Sequence, residues 1–420
     1  MQTATLTVSP DQRPVVLAVF VLTYLGLAIG RIPGLKLNRT GIAVLGAIAM
    51  MIVSRNSTST VVSCVNWPTI FLLFGFFVIS AQLRLSGFFD RVAENIAARL
   101  SSPARFLVFL IAVTAGLSAF LNNDIVCYVL APVVGTALVR KNMNPVPFLI
   151  ALAAASNIGA GATLIGNAQN MMIGELAGLG FLRYMLWSIV PVTVGLATIY
   201  MVTRLGAGNR PPAPLAGAEP EAPSYPFDFY HLTKGLVVLA AVIALFFTSL
   251  PREVVVLLAA GIHLMSTKFR TEDLLALVDW PVLLLFTALF VVSGTFQATG
   301  YGTELVQWLE GLGLDPNRPA VEVAVTAGLT ALINNAPAVM LLVKLVPITQ
   351  VSTAYIMAVA NSFGGNAILT ASVANLIVVQ QARRQGIIIS FGQFARLGIP
   401  ITLVSLGGLI GWALLMGKGG

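Results

Sequence analysis

The chain is poor in charge. Of 420 residues, 24 are Lys or Arg and 16 are Asp or Glu, so charged side chains make up only 10%. A soluble domain carries about a quarter, and so few charges cannot cover a folded body of this size in water. Cysteine and histidine are scarcer still. Cys64 and Cys127 have no CxxC spacing and cannot build a thiolate cage or a disulfide framework, and His231 and His263 cannot assemble a metal site alone. No metal and no cofactor is expected. No Walker A, dinucleotide fingerprint, HExxH or GxSxG pattern stands in a supporting context, which removes ATP-driven transport within this chain and hydrolase chemistry; the protein is expected not to be an enzyme. Residues 1–13 lack the basic start of a cleavable signal. What the chain has in excess is apolar surface: 57% of it is hydrophobic, too much for disorder. The net charge of +8 lies in short clusters between apolar runs, a pattern of membrane topology, and no nucleic-acid partner is expected.

Apolar runs long enough to enter a bilayer core of about 30 Å fall near 14–30, 40–54, 67–83, 104–139, 148–173, 184–204, 233–249, 252–267, 280–297, 320–346, 353–381 and 395–416. Two of them, 104–139 and 320–346, carry Asn-Asn at their centres, at Asn122-Asn123 and Asn334-Asn335. Amide pairs at that depth are costly unless they line a polar cavity or cap a broken helix, so both runs are expected to be re-entrant helical hairpins. Ten crossings remain. With the N-terminus outside, the loops near 31–39, 84–105, 140–147, 204–234, 268–279 and 382–396 hold seventeen of the 24 Lys and Arg residues and become cytoplasmic. Both termini are then external, and the chain is a multi-pass protein of the plasma (bacterial inner) membrane. Residues 206–232, opening on a Pro-, Ala- and Gly-rich stretch without apolar period, form a cytoplasmic linker between a first half, 1–205, and a second, 233–420.

The halves repeat each other. The segment from Trp67 aligns with that from Trp280 at a spacing of 213, SAFLNND (118–124) with TALINNA (330–336) at 212, and SNIGAGATLIGNAQN (156–170) with NSFGGNAILTASVAN (361–375) at 205. Five crossings separate the two tryptophans, and an odd number turns the second copy upside down. The fold class is therefore all-α and integral to the membrane: two inverted repeats, about ten transmembrane helices, two re-entrant hairpins (104–139 and 320–346) and two broken helices (148–173 and 353–381). Inverted repeats with interrupted helices are the architecture of secondary transporters, because broken helices expose unpaired N–H and C=O groups that hold a solute without importing full charges into lipid.

Asp124 is the one well-placed acid in the apolar runs, and its counterpart in the second copy is Ala336. It either loads and releases a proton or caps the hairpin's second arm, and the two roles are compatible. Asn122, Asn123, Asn157, Asn167, Asn334, Asn335, Asn361, Asn366, Thr163, Thr370 and Ser372 supply the neutral donors and acceptors for a solute, with one Asn of each tip pair equally able to cap a helix. Gly159, Gly161, Gly364, Gly365, Asn170 and Asn375 mark the helix breaks. Cys127, one turn beyond Asp124, reads as a small apolar filler.

FLNNDIVCYVLAPVV, NIGAGATLIGNAQNMMI, LINNAPAVMLL and NSFGGNAILTASVANLIV resemble the ion-transporter superfamily, in particular its arsenite/antimonite efflux permeases (ArsB) and P-protein-like permeases. The resemblance spans about residues 15–416. It implies an elevator-like cycle and proton-driven export of arsenite or antimonite, with an arsenite-stimulated ATPase subunit and a second copy of the chain as open additions to the partners, which are cargo, protons and lipid. Sodium-coupled uptake of a carboxylate and sodium/proton exchange are the alternatives within the superfamily. The dicarboxylate symporters carry Ser-Asn-Thr at both hairpin tips, where this chain has Asn122-Asn123-Asp124 and Asn334-Asn335-Ala336.

Overall fold

The computed structural model describes residues 6–30, 34–98, 102–206, 225–311, 318–346, 348 and 350–416. In the first half, α1 (Arg13–Ile29) and α2 (Arg39–Ser54) lead to the short α3 (Thr58–Val62), α4 (Trp67–Leu85) and α5 (Phe88–Ala98). Then come α6 (Pro103–Phe120), α7 (Asn123–Arg140), α8 (Val146–Ala160), α9 (Ala168–Leu176) and α10 (Phe181–Gly206). The second half runs in the same order through α11 (Phe229–Leu245), α12 (Arg252–Leu264), α13 (Thr271–Ala276), α14 (Trp280–Gln297) and α15 (Tyr301–Gly311). It ends with α16 (Pro319–Ile333), α17 (Asn335–Leu345), α18 (Val351–Gly364), a 3₁₀ turn at Leu369–Ala371, α19 (Val373–Arg384) and α20 (Phe391–Met416). The inverted repeat is thus matched element by element, down to prolines inside the long helices at Pro191 and Pro400.

Among the described residues six helices are long and apolar enough to cross a membrane: α4, α6, α7, α10, α14 and α20. The hairpins form where the Asn pairs predict them. The arms α6 and α7 pack together and join at Leu121–Asn122, and α16 and α17 join at Asn334. Although α6 and α7 each have the length of a full crossing, their shared tip meets the tip of the second hairpin in one cleft. The expected broken helices also form, as α8–α9 and as α18–α19.

Several elements start for a local reason. Asn66 and Asp279 stand at equivalent N-cap positions before Trp-Pro, and their side chains accept from Thr69 N at 2.9 Å and Val282 N at 3.1 Å. The helix α5 buries Phe89, Ala93 and Ile96 along one face and exposes Arg91 and Glu94 on the other, the pattern of a helix lying on a surface. The short α3 and α13 escaped the sequence reading, since one or two turns carry too little periodicity. Of the expected linker, residues 207–224 lie outside the described residues. Its last four residues are helical instead, because Asp228 accepts from His231 N at 2.9 Å and so starts α11 at Phe229.

The helices pack in two groups. One holds α1, α2, α4, α11, α12 and α14, in which α2 packs on α14 and α4 on α12. The other holds the hairpins, the broken helices and the crossed pair α10 and α20. Inside the second group, α8 crosses α6 at Gly159 and α18 crosses α16 at Gly364. A Cβ at Gly159 would lie 2.6 Å from Ala115 O, and one at Gly364 would lie 2.8 Å from Ala327 Cα. These two glycines, expected to make the breaks, instead sit in the final turns of their helices and allow close approach to the hairpins. The breaks follow at Gly161 and Gly365, the C-caps. Gly159→Val should therefore cost about 3 kcal/mol and sharply reduce monodisperse protein on size exclusion. Gly116→Ala, which meets nothing within 4 Å, should leave the yield unchanged.

Candidate functional site

At the broken helices the two copies build the same scaffold. In the first, Asn170 Nδ2 donates to Ala160 O at 3.2 Å and Thr163 O at 3.0 Å. In the second, Asn375 Nδ2 donates to Gly365 O at 2.7 Å and Ile368 O at 3.1 Å. Every one of these pairs obeys the 205-residue spacing. Each amide ties off carbonyls left open where a helix stops, which lets a break stay dry. The tips are held in matching fashion: Ser156 Oγ donates to Asn123 O at 3.0 Å, and Asn361 Nδ2 to Asn335 O at 3.1 Å. The repeats also grip each other through related pairs, Ser372 Oγ to Asn157 Oδ1 at 2.9 Å and Asn167 Nδ2 to Ser362 Oγ at 3.1 Å.

Asn157 is the hub. Its Nδ2 donates to Asn366 Oδ1 at 2.9 Å and Asn375 Oδ1 at 3.0 Å, while its Oδ1 accepts from Ser372 and, at 3.2 Å, from Asn123 Nδ2. Both donors and both acceptors of the amide are used.

In front of this scaffold lies a cleft lined by Asn122, Asn123, Asp124, Ala168, Gln169, Val282, Leu285, Phe286, Asn335, Ala336, Ser372 and Val373. Four helix starts meet there, those of α7, α9, α17 and α19, each presenting the positive end of its dipole. Three are capped by the side chains of Asn122, Asn167 and Ser372, which accept from Asp124 N, Asn170 N and Ala374 N. Asp124 therefore does not cap α7; Asn122 does, and the partly buried Asp124 carboxylate faces the cleft. The fourth start differs. Asn334 sits at φ 78 and ψ 160, a backbone region that non-glycine residues occupy only under strain of about 1–3 kcal/mol, and its Nδ2 donates to Thr370 O at 3.1 Å.

Of the residues read from the sequence as solute ligands, the cleft collects Asn122, Asn123, Asn335 and Ser372 together with Asp124. The structure places Asn157, Asn167, Asn361 and Asn366 behind it, buried in the scaffold, and Asn334 beside it. Thr163 donates its hydroxyl to Ala119 O and braces the first break. Thr370 is exposed and contributes a carbonyl rather than its hydroxyl. Sequence reasoning missed Gln169, which its position between Asn167 and Asn170 could have suggested. It also missed the wall of α14, because Val282, Leu285 and Phe286 look like any lipid-facing stretch. A buried acid, Glu322 in the first turn of α16, was missed as well; it is not among the residues lining the cleft, where Asp124 is the single carboxylate.

A family described as citrate transporters, CitMHS, matches residues 24–354. The chain belongs to the CitMHS family. As a CitMHS protein it is a multi-pass secondary transporter of the ion-transporter superfamily, in agreement with the motif resemblance. An uncharacterised transporter of Mycobacterium tuberculosis is 32% identical over 93% of this chain and 96% of its own. The silicon efflux transporter LSI3 of rice (Oryza sativa) is 32% identical over 165 residues, 39% of this chain and 34% of that protein. A putative transporter arsB of Dictyostelium discoideum is 31% identical over 162 residues, 39% of this chain and 29% of that one. The CitMHS chain also shares its fold with MtrF of Neisseria gonorrhoeae, described as illuminating a class of antimetabolite efflux pumps, at a TM-score of 0.57 and 13% identity over 97% of this chain and 95% of that one.

Proposed function

We propose that this protein exports a small uncharged metalloid hydroxide, arsenite or antimonite foremost, in exchange for protons. The observation that carries the reading is the lining of the cleft: amides, one hydroxyl, an apolar wall and a single carboxylate, with no Lys or Arg. Trivalent arsenic near neutral pH is mainly its uncharged trihydroxide, which such a ring can hydrogen-bond without a counter-ion. The likeness over part of the chain to a silicon efflux transporter and to a putative arsB transporter supports the same cargo class. Asn122, Asn123, Asn335 and Ser372 then hold the solute, Asp124 carries the proton, and the buried amides behind keep the tips in place. One proton supplies about 2.3 kcal/mol per 100 mV and about 1.4 kcal/mol per pH unit. With 100 mV and one pH unit that sustains a solute gradient of about 500-fold.

The two packing groups support an elevator-like cycle, in which the hairpins, broken helices, α10 and α20 travel against the group built on α4 and α14. The side walls differ: α4 packs directly on α9, whereas α14 faces the start of α19 across the cleft. The wall residues come from the first two turns of α14, so in the proposed topology the cleft opens toward the cytoplasm, as an exporter awaiting cargo requires.

A second reading, carriage of a carboxylate such as citrate, draws on the family's description and on the four helix starts, which favour an anion. Purified protein in proteoliposomes, tested with arsenite, antimonite, citrate and sodium across pH 5–8, separates the two. Saturable, pH-driven arsenite flux without a sodium requirement is expected; citrate flux with no response to arsenite would replace the first reading by the second.

A further inference from the structure

We propose that Asp279 is the second carboxylate of the proton path, passing protons between Asp124 and the water at the mouth of the cleft. The proposal rests on the proton-exchange reading above. Asp279 precedes α14 and lies on the same helical face as Val282 and Phe286, three and seven residues on, which wall the cleft opposite Asp124. It is partly buried one turn before Val282, near enough to Asp124 for the two carboxylates to interact electrostatically. One carboxylate oxygen, Oδ1, holds the N-cap bond from Val282 N at 3.1 Å. The other is left to carry a proton. Burial pushes the Asp279 carboxyl above the usual carboxylate range, with the Val282 N–H working in the opposite direction.

Capping alone does not require an acid here. In the first repeat Asn66 fills the equivalent position and accepts from Thr69 N at 2.9 Å. Two of the positions where the repeats exchange an amide or an alanine for a carboxyl, Asp279 against Asn66 and Asp124 against Ala336, come from opposite copies, with Asp124 lining the cleft and Asp279 standing one turn before Val282 in its wall. Other charges near Asp279 are turned elsewhere. Arg39, at the start of α2 on α14, donates to Leu27 O at 3.1 Å, and on α13 Asp273 is exposed while Glu272 pairs with Arg270 at 3.3 Å. In the transfer, the O–H bond on Asp124 breaks and one forms on Asp279 Oδ2, directly or across a water, and Asp279 then releases the proton to bulk.

Asp279→Asn tests this, because an amide keeps the cap. The variant should insert and melt as wild type, keep its KM for arsenite within about twofold, and turn over about tenfold more slowly. Its rate should also lose its dependence on pH at the side of the cleft mouth. An unchanged rate and pH profile would overturn the proposal. Infrared difference titration of the cargo-free protein gives an independent reading: a carboxyl band absent from Asp279→Asn should shift in midpoint when Asp124 becomes Asn. A band that does not shift would also overturn it. Should wild-type liposomes move no arsenite, the cargo assignment fails while the infrared titration still decides the carboxylate pair.

Discussion

Asp124→Asn is expected to yield a folded, inserted protein whose pH-driven arsenite flux in everted vesicles is reduced at least about 100-fold. The substitution changes one oxygen to nitrogen at a position that caps nothing, since Asn122 supplies the N-cap of α7, so folding has little reason to fail. What disappears is the titratable group in a cleft otherwise lined by amides, a hydroxyl and apolar carbons. A neutral solute bound there gains nothing from a proton gradient unless some group carries charge back. Without it the variant can at most let arsenite equilibrate. A purely structural Asp124 predicts undiminished pH-driven flux, and vesicle measurements at two imposed pH gradients separate the outcomes.

Asn157→Ala should have the next largest effect, through architecture rather than chemistry. The amide links the first hairpin tip at Asn123 to the second broken helix at Asn366, Ser372 and Asn375, with all four of its hydrogen bonds made at 2.9–3.2 Å. All four partners are buried. Truncation strands them at membrane depth, where each such bond contributes less than in a soluble core but an orphaned group is expensive, so a loss of about 2–4 kcal/mol is expected. Because Asn123 and Ser372 also line the cleft, arsenite affinity should weaken about tenfold at temperatures where the variant stays folded. Thermal unfolding in detergent together with flux below the transition checks both parts; a melting curve matching wild type would show that the hub is dispensable.

The sequence made the scaffold legible and the lining much less so. Asn122-Asn123 and Asn334-Asn335 announced hairpins because no other placement of amide pairs in apolar runs is tolerable, and the fixed spacing of the repeat foretold that Asn170 and Asn375 would have equivalent tasks. Whether an Asn faces the cleft or the protein behind it depends on where the neighbouring helix runs. Asn157 and Asn361 therefore read like ligands in sequence and turn out buried. Gly159 and Gly364 read as breaks and act as crossing points, since the signal for the two is the same residue. The apolar wall of α14 was invisible for a simpler reason: a side chain facing a cleft and one facing lipid are chosen from the same set. Asp279 was hidden by its position at a helix start, where a capping role already accounts for an acid.

The central claim, exchange of a neutral metalloid hydroxide for protons, is tested most directly by letting the cargo do the driving. Proteoliposomes loaded with arsenite and an internal pH dye are diluted into arsenite-free buffer at equal pH, with the membrane potential clamped. Outward flow of arsenite should pull protons in and acidify the lumen, in proportion to the arsenite released and not in Asp124→Asn. Arsenite efflux with an unchanged or rising internal pH, or no efflux at all, would contradict it.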